Sequence, residues 1–538
     1  MKALTAAEMR EVDRLTTERH GISGLQLMET AGTLAGNAFA KLIREARLEP
    51  AHCICVLCGK GNNGGDGFGV ARHLRSAAAN VFVVLFAKEE ELKGDAATNF
   101  SRWREVGGEV VFVADESGWG AIAARALDAD VIVDAMFGTG FRGVASGAIG
   151  RAIRDVNEKS KDATAVRPAL ILAVDTPSGL PSDGEAGEEP ILKAHHTVTF
   201  TAPKVGQLIS RNSAAVGSLR VVNIGSPVAL VEETGKSAVR WSDAGEFVGM
   251  PLVRKSDGHK GLYGNILIVA GSLGKSGAAV MAGSAALWAG AGLVTVATPD
   301  VVLPIVAAAH PEYMTEALAT TRDGTIARSN LGDHFSTITK GRTVVAIGPG
   351  LGQNEETQEF VRSVVKTTES PIVLDADGLN AFAGRADELR ERKSKFLAIT
   401  PHPGEMARLL GSSVKEVEAD RVKTATEAAK RWNAHVILKG AHTIVAAPDG
   451  RFLVNTTGNA GLSKGGSGDV LTGVLAAMTG QFKTDDWLRT LALGVYLHGA
   501  AAEVASRGTD LSGIVASDVA RAVPQARLEL VRELQRRG

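Results

Sequence analysis

From residue 53 onward, short β-branched apolar runs alternate with segments whose apolar residues recur every three or four positions. The runs at 53–57, 81–86, 110–113, 131–134, 169–174 and 197–201 read as buried strands, and the segments at 67–78, 95–106, 121–127 and 148–157 read as helices. Such alternation predicts a mainly parallel, doubly wound sheet with right-handed crossovers. Two helices precede it. Thr5 and Glu8 have capping-box spacing and open a helix that turns Met9, Val12 and Leu15 inward. The second carries Met28, Ala31, Leu34, Ala35, Ala38, Phe39 and Leu42 at helical spacing.

The alternation stops near Ile224-Gly225-Ser226-Pro227, and a second α/β series begins at 265–270. Its strands are expected at 293–297, 343–347, 372–375, 396–399 and 436–439, followed by antiparallel runs at 443–447 and 452–455 and by large helices. Two domains are therefore expected, residues 1–228 and 238–538. The stretch 277–299 contains no charged residue and is long enough to cross a bilayer. Its break at Ala289-Gly290-Ala291-Gly292, just before Leu293-Val294-Thr295-Val296, fits a buried helix turning into a buried strand instead.

Composition narrows the partners. At 538 residues the chain exceeds one ordinary core, and 59 Lys and Arg against 60 Asp and Glu leave no excess charge to attract nucleic acid or an anionic membrane. Cys53, Cys55 and Cys58 cluster without an evident fourth metal ligand, so they read as buried structural thiols in a reducing compartment. Residues 1–10 lack the apolar run of a secretion signal, and a cytoplasmic location is expected.

The candidate chemistry lies at strand ends. Near the end of the chain, Ser463-Lys464-Gly465-Gly466-Ser467-Gly468-Asp469 crowds glycines at the entrance to an apolar helix. Backbone N–H groups there close on an anion and the helix dipole adds positive charge, while Asp469 stands ready to take a proton from an attacking hydroxyl. Further polar loops follow other strands: Gly348-Pro349-Gly350, Asp375-Ala376-Asp377, Thr400-Pro401-His402-Pro403-Gly404-Glu405 and Lys439-Gly440-Ala441-His442-Thr443. Gly271-Ser272-Leu273-Gly274-Lys275-Ser276 is not a P-loop, because Val269 stands where the first glycine is required.

In the first half, Gly59-Lys60-Gly61-Asn62-Asn63-Gly64-Gly65-Asp66 ends the first strand, where α/β sheets bind phosphates. Its side chains depart from the dinucleotide fingerprint, and no acidic ribose ligand ends the next strand, which disfavours a plain NAD-dependent dehydrogenase. Asp134 and Asp175 end two more strands, and three acidic strand-end loops on one sheet edge point to a site.

These N-terminal motifs resemble the YjeF N-terminal family, the NAD(P)HX epimerases, over residues 1–225. The resemblance implies that Asn62, Asn63, Gly64, Gly65, Asp66, Gly138, Thr139, Gly140, Phe141, Arg142, Gly143, Val144 and Asp175 contact the hydrated dinucleotide, and that Asn63, Asp134 and Ser178 hold potassium. Asp175 is the expected catalytic residue there, with Asp66 as its rival. The second half, over residues 240–530, resembles the NAD(P)HX dehydratase branch of the ribokinase-like superfamily, which implies a ribokinase-like α/β sandwich beside the Rossmann-like first domain. Nucleotide contacts then fall on Lys439, Gly440, Ala441, His442, Thr443 and Gly468, and substrate contacts on Ala278, Gly350, His402 and Asp469.

Together the resemblances imply one chain that epimerises R- and S-NAD(P)HX and dehydrates the S form. The expected phosphoryl donor is ADP rather than ATP, with magnesium on the phosphates and Glu405 near it. A homo-oligomer acting on NADHX and NADPHX is expected. Two alternatives stay open: a kinase for a hydroxymethylpyrimidine or sugar with a regulatory N-terminal domain, and a non-enzymatic nucleotide-binding role for the first half.

Overall fold

The computed structural model describes residues 1–46, 53–76, 80–161, 169–482 and 486–537. They form two compact units, Met1–Trp241 and Ser242–Gly538. In the first, β1 (Cys53–Cys58), β2 (Asn80–Leu85), β3 (Glu109–Phe112), β4 (Val131–Ala135), β5 (Leu170–Val174), β6 (His196–Phe200) and β7 (Ser218–Val222) build a sheet ordered 3-2-1-4-5-6-7. Every pairing is parallel. β1 and β4 are buried on both faces, which is why each reads as a continuous apolar run. The chain leaves β1 toward β3 and then returns to β4 on the other side, so the loops after β1 and β4 part and open a crevice.

Helix Asn62–Ser76 starts five residues before the expected position, at the first asparagine of the motif. Only Gly59, Lys60 and Gly61 separate it from β1, and a Cβ on Gly64 would sit 1.9 Å from the Gly59 carbonyl oxygen. The glycines that look like a loop are there to let the first helical turn fold back onto the strand. Positions 77 and 78 of the expected helix lie outside the described residues. The Thr5–Glu8 capping box forms, and Met9, Val12 and Leu15 are buried. In helix Gly24–Glu45, Leu27 and Ile43 are buried while Leu34 and Leu42 are only partly so. Cys55 and Cys58 are buried and Cys53 half-buried, all as free thiols.

The first unit also keeps the chain through Trp241. Leu230 and Val231 pack with Leu4, Met9, Val12 and Leu15, and the Ala3 amide donates to the Val239 carbonyl at 2.9 Å. Residues 238–241, expected in the second domain, belong with the first.

In the second unit, β8 (Asn265–Val269), β9 (Leu293–Pro299), β10 (Met314–Leu318), β11 (Val344–Ile347), β12 (Ile372–Leu374), β13 (Leu397–Ile399), β14 (His435–Leu438), β15 (Thr443–Ala446) and β16 (Phe452–Asn455) are ordered 10-9-8-11-12-13-14-15-16. Pairing is parallel as far as β14 and antiparallel at β15 and β16, as expected. The direction of travel reverses between β8 and β11, which makes a second crevice of the same kind. The uncharged stretch is helix Ser276–Trp288 followed by β9, and no helix among the described residues is long and apolar enough to cross a membrane.

The central helix of this unit, Ser467–Gln481, is buried almost all round. It lies so close to helix Ser276–Trp288 that a Cβ on Gly473 would come 2.2 Å from the Ala282 carbonyl oxygen. Gly473→Ala should lower stability by about 1–3 kcal/mol through overpacking, measured by urea unfolding. Unchanged stability would mean that the two helices part without cost.

Candidate active sites

In the first unit a cavity of about 850 Å³ opens at the β1/β4 reversal. It is lined by Asn62, Asn63, Asp66, Gly138, Thr139, Gly140, Phe141, Arg142 and Asp175 of the expected set, together with Asp13 and Lys204. Gly64, Gly65, Gly143 and Val144 do not line it. Gly64 abuts Gly59, Gly65 faces Met28 and Ala96, and Gly143 and Val144 lie in the loop beyond Arg142, with Val144 exposed. Phe137 and Phe141 stack with ring centroids 4.4 Å apart and give the cavity an aromatic wall.

Asp175 has φ +63, a left-handed conformation uncommon for aspartate. Three neighbours hold it there. Its Oδ1 accepts from Lys204 Nζ at 2.5 Å and Thr199 Oγ1 at 2.9 Å, and its carbonyl accepts from Gln207 Nε2 at 2.6 Å. Lys204 is 1% exposed and also donates to Thr199 Oγ1 and the Phe200 carbonyl. Burial raises Asp66 well above the usual carboxylate range, and the charges of Asp175 and Asp13 push the same way. Asp13 is pushed up to about 6 by burial, with Lys204 opposing and Asp175 reinforcing the shift. One ammonium thus stands among three carboxyls, and some of them hold protons near neutral pH.

Below this cavity, Asp134 Oδ1 accepts from Ser178 Oγ at 2.6 Å and from the Met136 amide at 3.1 Å, and its Oδ2 accepts from the Ser178 amide at 2.7 Å. Burial lifts Asp134 to about 6 against these hydrogen bonds. Asn63 donates Nδ2 to the Phe137 carbonyl at 2.8 Å, and its buried Oδ1 accepts nothing.

In the second unit Asp375, at the end of β12, is the hub. It is buried and accepts from Lys439 Nζ at 2.8 Å and Thr472 Oγ1 at 2.7 Å. Burial works against its charge, yet Lys439, Thr400 and Thr472 hold its pKa below the ordinary value. Lys439 likewise resists burial because Asp375 and Glu405 raise its pKa. Its ammonium lies 3.6 Å from the position of a Cβ on Gly468, so the β14 end and the entrance of helix Ser467–Gln481 meet here. Asp469, one residue on, is raised to about 6 by burial and then by Asp375, with Lys439 opposing.

Two other parts of the expected set converge on this edge. His402 caps helix Pro403–Leu410: its Nδ1 accepts from the Gly404 and Glu405 amides at 3.0 and 3.3 Å, which leaves the proton on Nε2. A Cβ on Gly350 would meet Ala278 Cβ at 2.8 Å, and Ser272 Oγ donates to the Gly350 carbonyl at 2.7 Å, joining the loops after β8 and β11. Gly440 (φ +147), Ala441 and His442 (φ +55) form the tight turn into Thr443 of β15.

Sequence reasoning passed over Asp13, although it lies four residues after inward-facing Met9 and so shares its helix face. Asp375 stands in a strand-end motif without an assigned role, and Lys204 lies just past the strand expected at 197–201. A buried lysine at a strand-end motif is the signal that was present.

Two separate crevices, each at a reversal in strand order and each holding carboxylates beside a lysine, fully buried in the first and half-buried in the second, are the candidate sites of a two-domain α/β protein. Comparison with known proteins matches each unit separately. Residues 24–206 fit the model of the YjeF-related protein N-terminus and residues 266–525 that of NAD(P)H-hydrate dehydratase. The bifunctional NAD(P)H-hydrate repair enzyme of Moorella thermoacetica is 39% identical over 99% of this chain and 98% of its own. That of Escherichia coli is 35% identical over 95% of this chain and 91% of its own. The ADP/ATP-dependent NAD(P)H-hydrate dehydratase of Bacillus subtilis, co-crystallised with ATP and Mg2+, is 31% identical, covers 54% of this chain and 99% of its own, and has a TM-score of 0.47. The chain belongs to the family of bifunctional NAD(P)H-hydrate repair enzymes.

Removing Lys204 alone leaves the Asp175 carboxylate buried without its counter-ion. Lys204→Met should cost about 3–5 kcal/mol in urea unfolding, and adding Asp175→Asn should recover part of it. Additive losses would show that the pair is not coupled.

Proposed function

We infer that the chain restores hydrated nicotinamide dinucleotides through an isomerase site in its first unit and a lyase site in its second. The two activities follow from the family. The roles of individual residues, the choice of ADP and the ions are our reading. What carries the reading is the meeting of Lys439, Gly468 and Asp469 at one crevice of the dehydratase unit.

Hydroxide is a poor leaving group, so elimination at neutral pH needs the C6 hydroxyl of the S hydrate converted to a phosphate ester. Asp469, ionised above about pH 6, takes the hydroxyl proton as the oxygen attacks the β-phosphorus of ADP and the bond to AMP breaks. Amides at the entrance of helix Ser467–Gln481 and the turn at Gly440, Ala441, His442 and Thr443 hold the phosphates, with Lys439 adding charge. Phosphate then leaves C6 with the C–O electron pair, the ring nitrogen lone pair assists, and loss of a C5 proton restores NAD(P)H. Gly350, Ala278 and His402 are the proposed contacts to the hydrated ring, His402 through its Nε2–H.

Glu405 Oε2 accepts from the His402 amide at 2.7 Å and lies 3.6 Å from Lys439 Nζ, Oε1 lies 3.6 Å from His402 Nε2, and this carboxylate is the proposed group to hold magnesium through water. Magnesium held there would offset the negative charge of the phosphates. In the first unit the unused, buried Oδ1 of Asn63 fits a cation site with Asp134 and Ser178. Potassium bound there supplies a fixed positive charge beside the cavity.

For epimerisation, Asp66, which burial raises well above the usual carboxylate range, is the proposed proton donor, and Asp175 is paired with Lys204. Asp66 gives its proton to the C6 oxygen as the C–O bond breaks and the ring nitrogen forms a double bond to C6. The water that adds on the opposite face gives its proton to Asp175, and exchange between the two carboxyls resets the pair. An in-line dehydratase accepts one face of the hydroxyl, which accounts for an epimerase on the same chain. The three free thiols fit a reducing compartment, the proposed location being the cytoplasm, and the proposed small-molecule partners are NADHX and NADPHX.

Asp469→Asn should lower ADP-dependent recovery of NADH from its hydrate by about a hundredfold or more while epimerisation continues, followed by absorbance and by chiral chromatography. In the unaltered protein kcat/KM for dehydration should rise with pH through about 6 and then level, because the base is protonated below its pKa. A stable phosphorylated product in place of free phosphate would identify a kinase.

A further inference from the structure

The turn that follows β14 is gripped from behind by one side chain. Arg421 opens helix Arg421–Trp432, where the helix dipole disfavours a cation. Its guanidinium donates from Nη1 to the Ala441 carbonyl at 2.6 Å and the His442 carbonyl at 3.3 Å. From Nη2 it donates to the Leu438 and Lys439 carbonyls, both at 3.2 Å. The nearest carboxylate, Glu418, is 3.9 Å from Nε, so the carbonyls are the main partners of this cation. A Cβ on Gly440 would come 2.7 Å from Nη2, and Gly440 also has φ +147. Glycine is required there on both grounds.

We propose that Arg421 is a positioning residue for dehydration, presetting the residue 438–442 turn to receive the nucleoside diphosphate. This rests on the reading of that turn as the nucleotide site. In a planar trans peptide the C=O of one residue and the N–H of the next point in opposite directions. With the Lys439, Ala441 and His442 carbonyls drawn to the guanidinium, the N–H groups of Gly440, His442 and Thr443 are turned to the opposite face. Bound carbonyls and outward amides make a concave set of donors with partial positive charge, the geometry that receives a phosphate. A neutral or shorter residue at position 421 would free the carbonyls to rotate, and the amides would have to be ordered by each incoming nucleotide. The four carbonyls span the fork of a guanidinium, and a lysine ammonium reaches fewer of them.

The test uses the full chain with Arg421→Ala and Arg421→Lys. Arg421→Ala should raise KM for ADP, and Kd for ADP by calorimetry, by about tenfold or more while kcat at saturating ADP stays within about threefold. Arg421→Lys should fall between the two, and epimerisation should be unchanged in both. Hydrogen exchange should quicken at the amides of residues 440–443 in the absence of nucleotide. If Arg421→Ala does not fold, Arg421→Lys carries the test with the same measurements. An unchanged KM and Kd overturn the proposal, and so does a fall in kcat with KM unchanged, since positioning acts through binding. If the unaltered protein neither binds nor consumes ADP, the functional reading fails, and that result is distinct from equal binding by wild type and variant.

Discussion

The carboxylate of Asp375 sits buried at the end of β12 and ties together two parts of the chain far apart in sequence. Through Lys439 at 2.8 Å it fixes the end of β14, and through Thr472 at 2.7 Å it fixes the first turns of helix Ser467–Gln481. An ion pair out of water is costly unless every lone pair is satisfied, and here the threonine hydroxyls complete the shell. The consequence is chemical. The same pair brings Lys439 to the Gly468 turn, beside Asp469, which burial and then the Asp375 charge lift to about 6 against Lys439.

The first unit places a comparable cluster at a similar reversal of strand order. Both sheets run outward from their first strand, return on its other side, and carry their polar loops on the carboxyl edge of that reversal. In the second unit a lysine sits between two carboxylates, Asp375 and Glu405, and both it and Asp375 stay charged. In the first, Lys204 faces Asp175, and burial raises the neighbouring Asp66 and Asp13 above the ordinary carboxylate range. Phosphoryl transfer calls for a fixed cation and an ionised base. Inversion at a hydrated carbon calls for an acid and a base whose proton affinities differ.

Much of this was legible from the chain. Central strands such as β1, β4, β8 and β11 are apolar throughout because helices cover both faces, and each was placed to within a residue or two. The strands missed, β7 and β10, are sheet edges. Ser218 and Arg220 in one, and Met314 and Ala317 in the other, are exposed, and no continuous apolar run remains to be seen. The start of helix Asn62–Ser76 was misread because its glycines signal a loop by composition and serve close packing in fact. Strand-end motifs brought most candidate residues to the right sheet edge. They could not show that Asp13 arrives from the first helix, or that Lys439 is bound to Asp375, since such pairings depend on side chains 64 residues apart or more.

A crystal structure of the full chain with ADP bound tests the central claim most directly. The account predicts the diphosphate within hydrogen-bond reach of the Gly468 amide and of the turn after β14, Lys439 still paired to Asp375, and the Asp469 carboxylate facing the β-phosphorus. A diphosphate bound elsewhere, or Asp469 turned away into solvent with nucleotide in place, would contradict it.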